Sequence, residues 1–382
     1  MQKIVFVINS LTAGGAERAL VQLLSGMEDR LQSYATHLVL LDIEDERHQV
    51  PCFVTKHVLD AKFSTWRSAY LLTRLMKNVS PSVTLSFLTR ANCANVFSAG
   101  LLGHPCIISE RIHTSSHFGN GATATLSRNI VRLAYRRADQ VIAVSQGVRQ
   151  ELVANYGISE NRICAIYNPV DVDLIERQAA ELPEIPLPPA YILGIGRLVP
   201  NKNFRLLIEA YLAADVSESL VILGEGDERS ALEALIAQRG LSGRILLPGY
   251  VRNPYPMLKV ARLFVCSSNA EGFPNALIEA MVLGCPVVST DCDSGPREIL
   301  DGISGNRSTD VAAGRWGILV PTNTVQPMAE AITMALRPEI GSMYQERGRQ
   351  RAKDFRVQAS ADQYWSTLAP YLESDRNRQL HM

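Results

Sequence analysis

The chain has 382 residues, 47% hydrophobic and 20% charged, and its 38 basic and 38 acidic side chains cancel to a formal charge of zero. That length and balance fit a globular protein of two domains and exclude a disordered tail or a protein that coats nucleic acid. Seven scattered cysteines with no C-x-x-C pair read as reduced core residues of a cytoplasmic protein. No apolar run reaches the roughly 18 to 20 residues that span a bilayer, and the first is too short for a signal peptide, so any membrane contact is expected to be peripheral.

The first expected strand, Ile4 to Ile8, is followed by Gly14-Gly15-Ala16-Glu17-Arg18, a glycine turn that opens an amphipathic helix over Ala16 to Ser25. Such a turn lets backbone N–H groups approach a phosphate closely, although the full G-x-G-x-x-G dinucleotide pattern is missing. Further strands are expected at His37 to Leu41, Val83 to Phe87, Cys106 to Ser109, Gln140 to Val144 and Ile163 to Ile166. After the fourth of these, Ser109-Glu110-Arg111-Ile112-His113 leads into a Gly, Ser and Thr-rich loop that contains His117. Arg128, Arg132 and Arg136 then recur at helical spacing, with Arg137 beside them. This stripe is either a solvated helix face or a contact for anionic lipid headgroups or a lipid diphosphate.

Leu182 to Pro189 holds four prolines in eight residues, too many for a helix or central strand, and is read as a linker. Beyond it strands are expected at Tyr191 to Ile195, Leu220 to Leu223, Ile245 to Leu247, Leu263 to Cys266, Val287 to Thr290 and Ile318 to Val320. Strands alternating with helices imply an α/β protein with parallel sheets covered on both faces. The expectation is two Rossmann-like doubly wound domains facing a central cleft, with ligands outside the carboxyl ends of the strands. The expected boundaries are 1–181, a linker at 182–190, and a second domain at 191–357. A helix over Ala359 to Tyr371 places 358–382 back on the first domain, with a frayed polar end from Ser374.

Chemistry-bearing residues cluster at strand ends of the second half. Arg197 can fork onto phosphate oxygens, and Lys202 adds a point charge about one turn later. Glu271 and Glu279 stand eight positions apart and bracket Gly272-Phe273-Pro274-Asn275, which turns into a helix expected to run from Pro274 to Gly284. The free N–H groups and dipole of that helix favour an anion, and the carboxylates accept hydrogen bonds from sugar hydroxyls. A further turn, Ser294-Gly295-Pro296-Arg297-Glu298, follows the strand ending at Thr290. Asp171-Val172-Asp173 and Asp291-Cys292-Asp293 match the D-x-D tripeptide of metal-dependent GT-A transferases. The first lies beside the linker, and the second is expected to lead into the Ser294 turn.

In combination, Gly14-Gly15, Arg197 with Lys202, Glu271-Gly272-Phe273-Pro274-Asn275 with Glu279, and Ser294-Gly295-Pro296-Arg297-Glu298-Ile299 resemble the retaining glycosyltransferases of family 4. The resemblance covers nearly the whole chain and implies the GT-B fold, with acceptor bound by the first domain and donor by the second. It implies a nucleotide-diphosphate sugar donor, usually UDP-linked, and no requirement for a metal ion or other cofactor. Arg197 and Lys202 would grip the diphosphate, Glu271 would meet the donor sugar and Glu279 the ribose. Phe273, Pro274, Asn275 and Leu277 would line the nucleotide sugar, and Gly14 and Gly15 would let the diphosphate approach. Many relatives carry a functional histidine shortly after a strand of the first domain; this chain departs from that pattern, and His113, nearer the strand end, is a better candidate for the role than His117 or is an ordinary loop histidine.

Gly14-Gly15-Ala16-Glu17-Arg18-Ala19 and Ser109-Glu110-Arg111 further resemble bacterial transferases that build lipid-linked oligosaccharide or surface polysaccharide. The partners implied are a nucleotide sugar and a glycan acceptor, polyprenyl-diphosphate-linked, reached from the cytoplasmic side of an inner membrane. A sugar-nucleotide epimerase of related fold and a non-catalytic scaffold homologue stand as alternatives. Product analysis without acceptor separates the first, and detectable transfer excludes the second.

Overall fold

Short apolar runs bounded by polar or glycine-containing loops are buried on both faces and form the central strands of two seven-stranded sheets. The computed structural model describes residues 1–12, 14–112, 122–304 and 307–380, with 122–123 and 374–380 described by backbone alone. It divides into two units, Met1–Pro169 with Val357–Met382, and Val170–Arg356.

In the first unit, β1 (Lys3–Ile8), β2 (Ala35–Leu40), β3 (Thr55–Val58), β4 (Val83–Phe87), β5 (Cys106–Glu110), β6 (Gln140–Ala143) and β7 (Ile163–Ala165) are all parallel, in the order β3-β2-β1-β4-β5-β6-β7. The connections carry α1 (Gly15–Gly26), α2 (Glu28–Leu31), α3 (Thr65–Val79), α4 (Thr89–Leu102), α5 (Ala122–Tyr135) and α6 (Gln146–Tyr156). β1 pairs with both β2 and β4, so the strand order reverses there, and the Gly14 turn leaves its carboxyl end. That is the switch point at which doubly wound sheets place ligands. β3 escapes the sequence reading because Thr55-Lys56-His57-Val58 is a mostly exposed edge strand without an apolar run.

The second unit starts at α7 (Val172–Gln178) and holds β8 (Tyr191–Ile195), β9 (Ser219–Leu223), β10 (Ile245–Gly249), β11 (Leu263–Cys266), β12 (Val287–Thr290), β13 (Ala312–Ala313) and β14 (Ile318–Val320), in the order β10-β9-β8-β11-β12-β14-β13. Its helices are α8 (Phe204–Ala214), α9 (Arg229–Gln238), α10 (Tyr255–Val260), α11 (Asn275–Val282), α12 (Pro296–Leu300), α13 (Val325–Ala335) and α14 (Pro338–Ala352). The two-residue β13 runs antiparallel to β14 at the sheet edge.

The expected boundary at 181 is corrected. Val170–Glu181 packs with the second unit, where Val170 N donates to Phe355 O at 2.8 Å and Asn253 Nδ2 donates to Gln178 O at 2.9 Å and Glu181 Oε2 at 2.8 Å. The chain leaves the first unit at Pro169. The prolines at 183–189 mark irregular chain inside the second unit, where Glu184 accepts the Asn253 N–H at 3.1 Å. Proline density reports missing regular structure, which need not coincide with a domain border.

The last helix, α15 (Val357–Leu380), belongs to the first unit and buries Ala361, Tyr364, Leu368 and Leu372 in one cluster with Ile4, Phe6 and Leu20. It runs past Pro370 to Leu380, where a frayed end was expected from Ser374.

Candidate active site

Lys202 lies on a short 3-10 turn, Pro200–Lys202, just past the carboxyl end of β8. Its stem passes Gly196, where an added Cβ would come within 3.3 Å of it. Gly224, at φ 140°, lets the chain after β9 press against Gly196 O, a space that any Cβ would occupy. The turn is then stitched to the loop that follows β11. Asn269 N donates to Asn201 O at 2.8 Å, Asn201 Nδ2 to Ala270 O at 2.7 Å, and Ser267 Oγ to Lys202 O at 2.8 Å. These bonds carry Glu271 to Lys202, and Nζ donates to Glu271 Oε1 at 2.5 Å. Ser268 Oγ donates to the same oxygen at 2.6 Å.

Burial works against the Lys202 charge, but the Glu271 carboxylate outweighs it and holds the pKa above the ordinary lysine value. Lys202 is therefore a fixed cation near strand ends. Arg197 is exposed, and no hydrogen bond or ion pair engages its guanidinium among the described residues, so its fork is open to a ligand.

The segment after Glu271 turns through Phe273 into α11, with Pro274 as its N-cap and Leu277 N donating to Pro274 O at 3.1 Å. Leu277 is fully buried, so its side chain serves the core, and any part it takes in binding belongs to its backbone. Glu279 is also buried, at 5% exposure, inside the helix. Phe273 packs edge-on to Phe355, with ring centroids 5.5 Å apart. The Ser294 turn braces this loop. Ser294 Oγ donates to Glu271 O, and Gly295, at φ 93°, makes room for Pro274 Cδ, which an added Cβ would overlap.

Neither D-x-D tripeptide presents a vacant carboxylate pair. Asp171 caps α7 by accepting Leu174 N at 2.9 Å. Asp291 accepts both Nε and Nη2 of Arg297 and the Ser308 N–H, and Asp293 pairs with Arg307. Among the described residues no cluster of three or more His, Cys, Asp or Glu side chains suits a metal ion.

In the first unit, Gly14 caps α1 in extended conformation and leaves space that the Glu17 carboxylate fills. His113 and His117 lie outside the described residues. The chain leading to them is anchored by Glu110, whose buried carboxylate accepts Arg111 N at 2.9 Å, Ile112 N at 3.3 Å, Thr89 Oγ1 at 3.1 Å and the Tyr135 hydroxyl. Burial pushes the Glu110 pKa up to about 6 despite these bonds. The arginine stripe is corrected in part: Arg132 and Arg136 stand beside Gly157, the left-handed cap of α6. Cations there complement the carboxyl end of that helix, a structural role that helical spacing alone did not reveal.

Of the residues singled out in the sequence, the second unit brings Lys202, Glu271 and the Phe273–Asn275 turn together at its strand ends. Sequence reasoning missed Ser268, whose only signal was its position just past β11.

Two doubly wound sheets, one of them carrying a buttressed ammonium, a paired carboxylate and a helix N-terminus at its strand ends, fit the glycosyltransferase of GT-B fold that the sequence motifs imply. Residues 189–337 match the family model for glycosyl transferases group 1, and residues 13–174 match that for glycosyltransferase family 4. The N-acetylgalactosamine-N,N'-diacetylbacillosaminyl-diphospho-undecaprenol 4-alpha-N-acetylgalactosaminyltransferase of Campylobacter jejuni is 30% identical over 366 residues, 93% of this chain and 96% of its own. The GalNAc-alpha-(1->4)-GalNAc-alpha-(1->3)-diNAcBac-PP-undecaprenol alpha-1,4-N-acetyl-D-galactosaminyltransferase of the same species is 25% identical, over 97% of this chain and 99% of its own. The crystal structure of Anabaena HepE with UDP and glucose superposes with a TM-score of 0.76 at 19% identity, over 97% of this chain and 100% of that one. The chain belongs to the family 4, group 1 glycosyltransferases.

Proposed function

We propose that this glycosyltransferase moves a hexose or N-acetylhexosamine from a UDP-sugar to a polyprenyl-diphosphate-linked glycan, with retained anomeric configuration and without a metal ion. The observation that carries the reading is the Lys202 ammonium, held at 2.5 Å by Glu271 near the start of α11. As the sugar leaves, negative charge gathers on the diphosphate, so a fixed cation and helix N–H groups there favour the transition state over the ground state. Arg197 supplies a second cation, Glu271 orients the donor sugar, and Glu279 takes the ribose. Backbone groups of Phe273, Pro274, Asn275 and Leu277 complete the donor pocket. His113 is assigned to a sugar hydroxyl as a neutral hydrogen-bonding group. The leaving phosphate takes the acceptor proton, so no side-chain nucleophile is required.

The lipid-linked acceptor is supported by two Campylobacter relatives whose names specify undecaprenol-linked glycans and which this chain matches over 93% and 97% of its length. UDP is supported by the nucleotide in the HepE structure. Thermal melting with UDP, GDP or ADP, each with and without chelator, tests the donor assignment. A nucleotide at a hundred times its Kd adds about 2.7 kcal/mol to the native state. A shift selective for UDP that persists in chelator is expected. A shift that needs added manganese or magnesium would overturn metal independence, and a shift selective for GDP or ADP would overturn the choice of base.

A further inference from the structure

One face of the first unit combines exposed hydrocarbon with positive charge. α3, α4 and α5 lie side by side, and each turns large apolar side chains outward. Trp66 and Tyr70 project from α3, Phe97 and Leu101 from α4, and Leu126, Ile130 and Leu133 from α5. Trp66 is 74% exposed and Leu101 63%. Between them runs a groove of about 670 Å³, lined by Trp66, Val96, Phe97, Leu101 and Ile130. Scattered exposed apolar residues are ordinary, but a contiguous set across three helices marks a surface that something covers.

Charge identifies the cover. The three helices hold Arg67, Arg74, Lys77, Arg90, Arg128 and Arg132 and no Asp or Glu, although the whole chain balances to zero. Asp42 neutralises Arg90 from a neighbouring loop and Arg132 stands at the carboxyl end of α6, which leaves Arg67, Arg74 and Lys77 of α3 in excess among the described residues. On α5 the helical repeat puts Leu126, Ile130 and Leu133 on the half toward α4 and solvent, with Arg128 and Arg132 on the other half. On α3 the same repeat sets Arg67, Arg74 and Lys77 beside Trp66 and Tyr70, the mixture of apolar and basic side chains that suits a membrane interface. A protein partner would have to supply both an apolar surface and an excess of acid, whereas an anionic bilayer supplies acyl chains and phosphates together.

We propose that the α3–α4–α5 face docks on an anionic lipid bilayer, with Trp66, Phe97, Leu101 and Leu133 entering the boundary between headgroups and acyl chains. This deepens the reading that the acceptor is lipid-linked and rests on it for purpose, though its test does not. Docking there would hold the first unit at the surface where such an acceptor resides. Arg67, Arg74 and Lys77 would meet lipid phosphates.

The full chain is floated with phosphatidylcholine vesicles, with and without phosphatidylglycerol, while tryptophan emission is recorded. Flotation only with phosphatidylglycerol, reversed by high salt, is expected, together with a blue shift from Trp66, the most exposed of three tryptophans. Trp66→Tyr should lose the shift and still float. Phe97→Ser combined with Leu133→Ser, in a variant whose melting temperature shows it to be folded, should lower partition about tenfold or more. The same pair should leave UDP-induced stabilisation and transfer to a short-chain, water-soluble acceptor unchanged. Three results would overturn the proposal: no flotation with either vesicle, flotation untouched by the serine pair, or a dimer that the serine pair dissolves, which would make a second copy the cover. Failure of UDP binding with intact flotation would refute the donor reading and leave the docking face standing.

Discussion

The Lys202 ammonium meets Glu271 Oε1 at 2.5 Å across 69 residues of chain, and neither group has this position without the other's loop. Truncating the lysine removes the cation proposed for the leaving diphosphate and strips the carboxylate of its counter-charge. Lys202→Ala is expected to lower kcat by about 10²- to 10³-fold, the range for losing one group that stabilises developing charge. Steady-state transfer by a variant shown to be folded checks this. Near-normal turnover would remove Lys202 from the mechanism.

Ser268 is the second donor to that oxygen, at 2.6 Å, and is buried at 1% exposure. Ser268→Ala removes one hydrogen bond to a carboxylate, worth about 1.5–3 kcal/mol, and leaves Lys202 in place. Activity is expected to fall about tenfold or more, with KM for the donor rising if Glu271 swings toward solvent. A variant with unchanged kcat/KM would show that Lys202 alone fixes the carboxylate.

Much of the arrangement was legible in the sequence because residues suited to phosphate tend to gather where strands end and helices begin. Arg197, Lys202 and the Glu271–Asn275 turn occupy such places after β8 and β11. The contact between Lys202 and Glu271 was not legible, because it depends on bonds joining Asn201 to Asn269 and Ala270, ordinary polar residues in a one-dimensional pattern. Asp291 shows the opposite case. Its tripeptide resembles a metal motif, yet Arg297 and Ser308 occupy its oxygens. Apolar runs located the buried strands, whereas exposed β3 and the border at Pro169 depend on partners that local pattern does not name.

Glu110 gives the first unit a pH dependence with a defined sign. Its folded pKa of about 6 lies above the ordinary carboxyl value of 4.5. Its contribution to stability is fully present below the unfolded pKa and is lost as pH rises through the folded one. Across that window the loss amounts to about 2 kcal/mol. Glu110→Gln cannot ionise, so it should gain stability relative to the parent chain between pH 4.5 and 6. Denaturant titrations of both proteins at several pH values measure the difference, and parallel pH profiles would contradict a raised Glu110 pKa.

The last helix should be indispensable to the first unit and dispensable to the second. Tyr364 bonds through its hydroxyl to Arg111 Nη1 at 2.8 Å and Ser109 Oγ at 3.0 Å, and its ring stacks on Phe87 with centroids 6.0 Å apart. Tyr364→Phe keeps the ring and leaves Arg111 short of a buried partner, an expected cost of about 1–3 kcal/mol. Ending the chain after Arg356 removes Tyr364, Leu368 and Leu372 from the core shared with β1, at about 1.5–3 kcal/mol for each large apolar side chain. That sum rivals the about 5–15 kcal/mol by which a domain is stable. Limited proteolysis of the shortened chain should digest Met1–Pro169 rapidly and spare Val170–Arg356. Equal resistance of both units would mean that the sheet order β3-β2-β1-β4-β5-β6-β7 closes its core without the helix.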